Sequence, residues 1–129
     1  MNLLRYDMLP HILILVTIIG NVAALVMVKM AVTAAGQAPK NVNELIPFFI
    51  RMITSLYTWL AVFAVFIGLL AFWLVLTKME LSRVYPIIGG LSYVIVALLG
   101  VMIFKDNMTL IGWLGVVLVV AGVFMLFHN

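Results

Sequence analysis

The chain has no cysteine. Disulfides, thiolate metal sites and thiol catalysis are therefore excluded. Charge is almost as scarce: 9% of the 129 residues are Asp, Glu, Lys or Arg, four acids against seven bases. A soluble domain carries about 25%. No phosphate loop, metal-ligand cluster or catalytic triad occurs, so neither an enzyme, a metal nor a cofactor is expected. What fills the chain is apolar, 67% of it hydrophobic, against about 45–50% in ordinary globular domains. A fold this small cannot hide so much apolar surface from water. Disorder is excluded as well, since it needs low hydrophobicity. The excess of three positive charges speaks of lipid headgroups and topology, not of nucleic acid.

The spacing of the charges maps the architecture. Leaving histidines aside, 21 residues without an acid, Lys or Arg separate Asp7 from Lys29. Another 26 separate Arg51 from Lys78, 21 separate Arg83 from Lys105, and 23 follow Asp106. A helix crossing a bilayer needs about 20 mostly apolar residues. Each gap therefore predicts one crossing, at about 11–31, 55–77, 84–104 and 109–127, in a single domain covering 1–129. Helices are required because backbone groups in lipid must bond within their own segment. The first gap also has a signal-peptide alternative, with Arg5 before it and Val32-Thr33-Ala34 after it. Its length and Lys29 argue against cleavage.

Short links predict that spans two and three, and spans three and four, are antiparallel neighbours. The first loop is longer. Gly36, Pro39, Lys40, Asn41 and Asn43 mark a turn-rich stretch. Glu44 to Ser55, with Leu45, Ile46, Phe48, Phe49, Met52 and Ile53, reads either as a short interfacial helix or as an early, tilted start of span two. Orientation is weakly specified. One side carries Arg5, Lys78 and Arg83, the other Lys29, Lys40, Arg51 and Lys105, almost no bias under the positive-inside rule. A partner that sets orientation, or dual topology with an antiparallel homodimer, both fit.

Small residues form stripes along the spans: Ala61, Ala64, Gly68 and Ala71 in the second, Gly90, Tyr93, Ala97 and Gly100 in the third, Gly112, Gly115 and Gly122 in the fourth. Between helices in lipid, close backbone approach replaces the hydrophobic drive. The last stripe is expected in or near a dimer contact. Pro86 disfavours a helical Tyr85, and Asp106, Asn107 and Thr109 all suit the N-cap of the last span. No acid falls within a span, whereas proton-coupled carriers use such a group. Asn21 is the costliest neutral polar residue at depth and calls for a partner. Its ordinary role is a hydrogen bond between helices. Lys29, Arg51, Arg83 and Lys105 lie near headgroup level, either as snorkelling anchors or as ligands for an anionic head. His11 and His128 fall at span ends.

The segment Leu81-Ser-Arg-Val-Tyr-Pro-Ile-Ile-Gly-Gly, then Lys105-Asp-Asn-Met-Thr-Leu-Ile-Gly-Trp-Leu-Gly and Val120-Ala-Gly-Val, resembles the drug/metabolite transporter superfamily, whose four-helix members are the small multidrug resistance (SMR) group. Lys29 matches that group's usual lysine. The likeness covers about 56–127 well, span one moderately, and not the long first loop. In the drug-exporting branch a glutamate stands eight residues before the lysine, where this chain has Asn21, and a Trp three residues after the Tyr, where it has Ile88. The branch that moves lipid-linked sugars, including the aminoarabinose-phosphoundecaprenol flippase subunits, lacks the glutamate and has Tyr-Pro, as in Tyr85-Pro86. Ala23-Ala24-Leu25 stands where that branch often keeps Ala-Gly-Gln, a departure that counts against the aminoarabinose pair in particular. The resemblance implies an all-α membrane protein, an SMR-like dimeric bundle of four transmembrane helices in the bacterial inner membrane. It implies a flippase for a polyprenyl-phosphate-linked monosaccharide or similar anionic lipid, the alternatives being an exporter of small cations or metabolites and a non-transporting membrane subunit. Asn21, Lys29, Arg51, Arg83 and Tyr85 are the expected substrate ligands. The expected partners are membrane lipids and a second copy or a paralogous small subunit.

Overall fold

The computed structural model describes residues 2–129, with side chains from Met8 onward. Arg5 and Asp7 of the charge map lie outside the described side chains. The described chain is helical, in the order α1 (Asn2–Ala35), α2 (Val42–Thr54), α3 (Leu56–Leu76), α4 (Leu81–Met102) and α5 (Leu110–His128). Four of these are long and apolar enough to cross a membrane: Met8–Ala35 within α1, then α3, α4 and α5.

The ends follow local chemistry. Gly36, at φ 95°, stops α1, a left-handed conformation that costs glycine little. Lys29 therefore stands inside the last two turns of α1 rather than at its end. Ser55 is extended, at φ −72° and ψ 136°, and separates α2 from α3. The Thr58 hydroxyl donates to the Met52 carbonyl, and the Trp59 indole donates to the Ile53 carbonyl at 2.9 Å. The Ser55 N–H also bonds the Met52 carbonyl, at 3.2 Å, so backbone and side chains together satisfy the last carbonyls of α2. The segment is thus a separate helix and not an early start of the second span. At α4 the structure overturns the expectation about Pro86. The helix begins at Leu81 and runs through Tyr85 and Pro86. The missing proline N–H would have reached Ser82, which is exposed at the helix end, where solvent can meet its carbonyl. Of the three candidates for the N-cap of α5, Thr109 takes it, its hydroxyl accepting from the Gly112 N–H at 3.3 Å. The Asp106 N–H instead bonds the Gly100 carbonyl at 3.0 Å, after Lys105 turns at φ 55°.

Packing departs from chain order. The most extensive contact is α1 on α3, followed by α4 with α5 and α1 with α4, while α3 and α4 barely meet. The short hairpin does not make close neighbours of α3 and α4, because α1 wedges between them. Its aliphatic side, Ile14, Ile18 and Val22, packs with Val75, Val84 and Ile88 in the main core. Its small-residue side meets the α3 stripe, where Ala61, Gly68 and Ala71 are buried. A β-carbon added to Gly20 would stand 2.9 Å from the Ala64 carbonyl oxygen and 3.0 Å from the Gly68 Cα. Backbone approaches backbone here, the kind of contact that small residues permit in lipid. Among the described residues α5 packs only on α4, and Val123 alone of its residues is buried. Val123 fills the space above Gly90, where an added β-carbon would overlap it. The expected α4 stripe therefore divides: Gly90 packs on α5, Tyr93 is exposed, and Gly100 is covered by the Asp106 carboxylate.

Candidate functional site

The wedge of α1 leaves a groove between α3 and α4. Thr17 and Asn21 of α1 form its floor, Val65, Gly68, Leu69 and Phe72 of α3 one wall, and Tyr85 and Ile88 of α4 the other. It encloses about 250 Å³. Asn21 and Gly68 lie near the middles of their spans, so the groove reaches mid-bilayer depth, and Tyr85 extends its lining toward the end where α4 begins. Tyr85 is 64% exposed, and its ring meets Phe72 edge-on, with centroids 6.2 Å apart. The Thr17 hydroxyl donates to the Leu13 carbonyl at 2.8 Å and keeps its lone pairs for another donor. Among the described residues the Asn21 side chain has no hydrogen-bond partner and is exposed. Its expected bond between helices is absent from the fold. The residue lines the groove instead. The polar lining is neutral, and no carboxylate lines the groove.

The expected ligands do not converge. Asn21 and Tyr85 share the groove. Lys29 lies at the opposite end of the bundle from Tyr85, with its ammonium 5.9 Å from the centroid of the Phe104 ring. It borders a small pocket of about 120 Å³ with Gly100 and Asp106. Arg51 belongs to that same end but to another hollow, between α2 and the loop before it. Arg83 stands at the Tyr85 end. Its Nη2 donates to the Phe127 carbonyl at 3.2 Å, which ties the start of α4 to the end of α5, and its Nε is enclosed without a partner. The sequence reading missed Thr17 and Phe72 as groove residues. The i, i+4 step from Thr17 to Asn21 was the available signal. Gly112 meets the Met108 side chain, while Gly115 and Gly122 have nothing within 4 Å of an added β-carbon. Within one chain the α5 stripe is thus largely uncovered. Among the described residues no His, Asp and Glu side chains group as a metal site.

Three known proteins resemble this chain over more than half of its length. A probable 4-amino-4-deoxy-L-arabinose-phosphoundecaprenol flippase subunit ArnE from Pseudomonas savastanoi pv. phaseolicola is 36% identical over 84 residues, 65% of this chain and 73% of the relative. A protein of the same description from Pseudomonas fluorescens is 35% identical over 77 residues, 60% of this chain and 67% of the relative. Another, from a second strain of that species, is 40% identical over 72 residues, 56% and 62% of the two chains. No family profile matches the sequence, and no solved structure does.

Proposed function

The chain belongs to the ArnE family of flippase subunits, and from this premise we propose that it carries the head of a polyprenyl-phosphate-linked monosaccharide across the bacterial inner membrane. The departure at Ala23-Ala24-Leu25 does not place it outside that family. Its role is transport and not catalysis of a covalent step.

The observation that carries the reading is the neutral polar groove at mid-bilayer depth. A sugar hydroxyl taken from water without a partner costs about 2–7 kcal/mol. The Asn21 amide, the Thr17 hydroxyl and the Tyr85 phenol offer replacement donors and acceptors. Phe72 and Tyr85 add aromatic surface for the C–H face of a sugar ring. The narrow meeting of α3 and α4 leaves the groove open sideways, so the polyprenyl tail stays in lipid while its head moves. The phosphate is met at the ends by fixed cations, Arg83 on one side and Lys29 and Arg51 on the other. The cation-exporter alternative lacks its coupling carboxylate in this groove. The bare outer face of α5, with Gly112, Gly115 and Gly122, suits a partner helix from a second copy or a paralogous subunit.

The test is transport in liposomes containing the chain and its partner subunit, scored by access of the lipid-linked sugar to a membrane-impermeant reagent. Asn21→Leu and Tyr85→Ala are expected to cut the rate at least tenfold with the fold retained. Asn21→Asp adds pH dependence. Loss of wild-type transport on collapsing a proton gradient would overturn the assignment.

A further inference from the structure

The hollow under α2 has a chemistry of its own. The residues Val42, Ile46, Phe49, Ile50 and Ile53 fall on one side of this helix, and all are exposed. The helix joins the end of α1 to the start of α3, both membrane spans, so it lies at a membrane face. An amphipathic helix there sinks its apolar side about 5–10 Å into the headgroup boundary. An α-helix with its side chains is about 10 Å across. The opposite side of α2 therefore rides at the level of the lipid phosphates. That side carries Glu44 and Arg51, with Asn43 at its border, and with Gln37 and Lys40 of the preceding loop these line a hollow of about 450 Å³.

Resting on the flippase reading, we propose that this hollow is the docking site for a lipid head that carries both a phosphate and a primary amine, with Arg51 and Lys40 on the phosphate and Glu44 on the amine. Glu44 and Arg51 are seven residues apart, two turns along one side of the helix, about 10 Å at the backbone. Both side chains can lean inward to bracket one sugar ring. In a 4-amino-4-deoxy sugar joined to phosphate through C1, amine and phosphate stand on opposite sides of that ring. The Glu44 carboxylate is already oriented, since its Oε2 accepts the Lys40 N–H at 2.9 Å. Arg51 Nη1 lies 4.0 Å from the place of a β-carbon on Gly36, so the guanidinium reaches back over the loop. Among the described residues no carboxylate holds the side chain of Arg51 or of Lys40. Their charge is left for an incoming anion. Gln37 and Asn43 supply amides for the ring hydroxyls. Phosphatidylethanolamine shares the two charges, but it has no ring hydroxyls for Gln37 and Asn43 to meet, and only two carbons separate its amine from its phosphate.

The experiment is native mass spectrometry of the full chain in detergent. The probes are polyprenyl-phosphate 4-amino-4-deoxyarabinose and its N-acetylated counterpart, with phosphatidylethanolamine as competitor. Wild type is expected to prefer the free amine about tenfold, in line with the strength of charge-assisted hydrogen bonds. Glu44→Gln keeps an acceptor for the Lys40 N–H, so the hollow retains its shape, and the preference should fall to near unity. Arg51→Gln should weaken both probes about equally and leave the ratio. An unchanged ratio in Glu44→Gln overturns the proposal, as does displacement by equimolar phosphatidylethanolamine. If in either case Asn21→Leu and Tyr85→Ala still stop transport, the hollow reading fails and the flippase reading stands. If the wild-type protein neither binds nor moves any polyprenyl-phosphate sugar, both fall.

Discussion

Two glycines face each other where α1 crosses α3, and substitution should treat them differently. A β-carbon at Gly20 meets only backbone: the Ala64 oxygen at 2.9 Å, the Gly68 Cα at 3.0 Å and the Gly68 nitrogen at 3.2 Å. No rotamer change relieves that overlap, so Gly20→Ala must push the helices apart by about half an ångström, which already forfeits about a quarter of each affected dispersion contact. Overpacking of this kind costs about 1–3 kcal/mol. Alanine returns about 0.8–1 kcal/mol in helix propensity. The net expectation is a loss toward the upper part of a range of about 0–2 kcal/mol, because only backbone faces the new carbon. At Gly68 the added carbon stands 3.5 Å from the Thr17 carbonyl and 3.6 Å from the Gly20 Cα, ordinary contact distances. Gly68→Ala should therefore be neutral or stabilising by up to about 1 kcal/mol. Reversible unfolding by SDS in mixed micelles, followed by circular dichroism and Trp fluorescence, separates the two. If Gly20→Ala is as stable as wild type, or Gly68→Ala loses as much as Gly20→Ala, the close-contact account is wrong.

Gly90→Ala should loosen α5 from α4, because the new carbon overlaps Val123, and Val123→Ala on the same chain should restore much of the loss; crosslinking of cysteines placed across the two helices reads this out. Gly115→Leu should leave the stability of the single chain unchanged, since nothing lies within 4 Å, yet weaken association measured by single-molecule photobleaching in lipid. Conservative swaps separate anchors from ligands: Lys29→Arg and Arg51→Lys should preserve insertion, and a ligand role predicts at least a several-fold loss of transport in one of them, deepening on change to Gln. Thr109→Ala removes the α5 cap and should cost about 0.5–2 kcal/mol, seen in the same unfolding assay.

The four crossings were legible because a charge-free run of 20 residues in so apolar a chain has few other uses. The α3 stripe was legible for a related reason: Ala61, Ala64, Gly68 and Ala71 recur at helical spacing, and α1 does seat on that side. Its counterpart at Gly20 was passed over, since a lone glycine among isoleucines gives no periodic signal. The order of packing was not readable either. Loop length says which helices lie antiparallel, but it does not say whether a third helix comes between them. The helix break at Ser55 depends on the Thr58 and Trp59 side chains reaching back to carbonyls six residues earlier, a tertiary arrangement without a local motif. Asn21 and Tyr85 were both singled out from sequence, one for its cost in lipid and one from its motif. Their shared groove follows only from the wedge of α1. Arg83 looked like one more cation at a span end, and its bond to the last turn of α5 depends on how those helices dock.

The central place of α1 sets an order of events during synthesis. α1 leaves the ribosome before the helices that assemble around it, and its main partner ends 41 residues later, at Leu76. At about 5–20 residues per second, α1 waits roughly 2–8 s before α3 can close on it, and longer for α4. Through that interval Thr17 and Asn21 face lipid or the insertion machinery without α3 or α4 beside them. A device that shelters polar surface at mid-membrane is thus needed at birth, before the groove exists to carry anything.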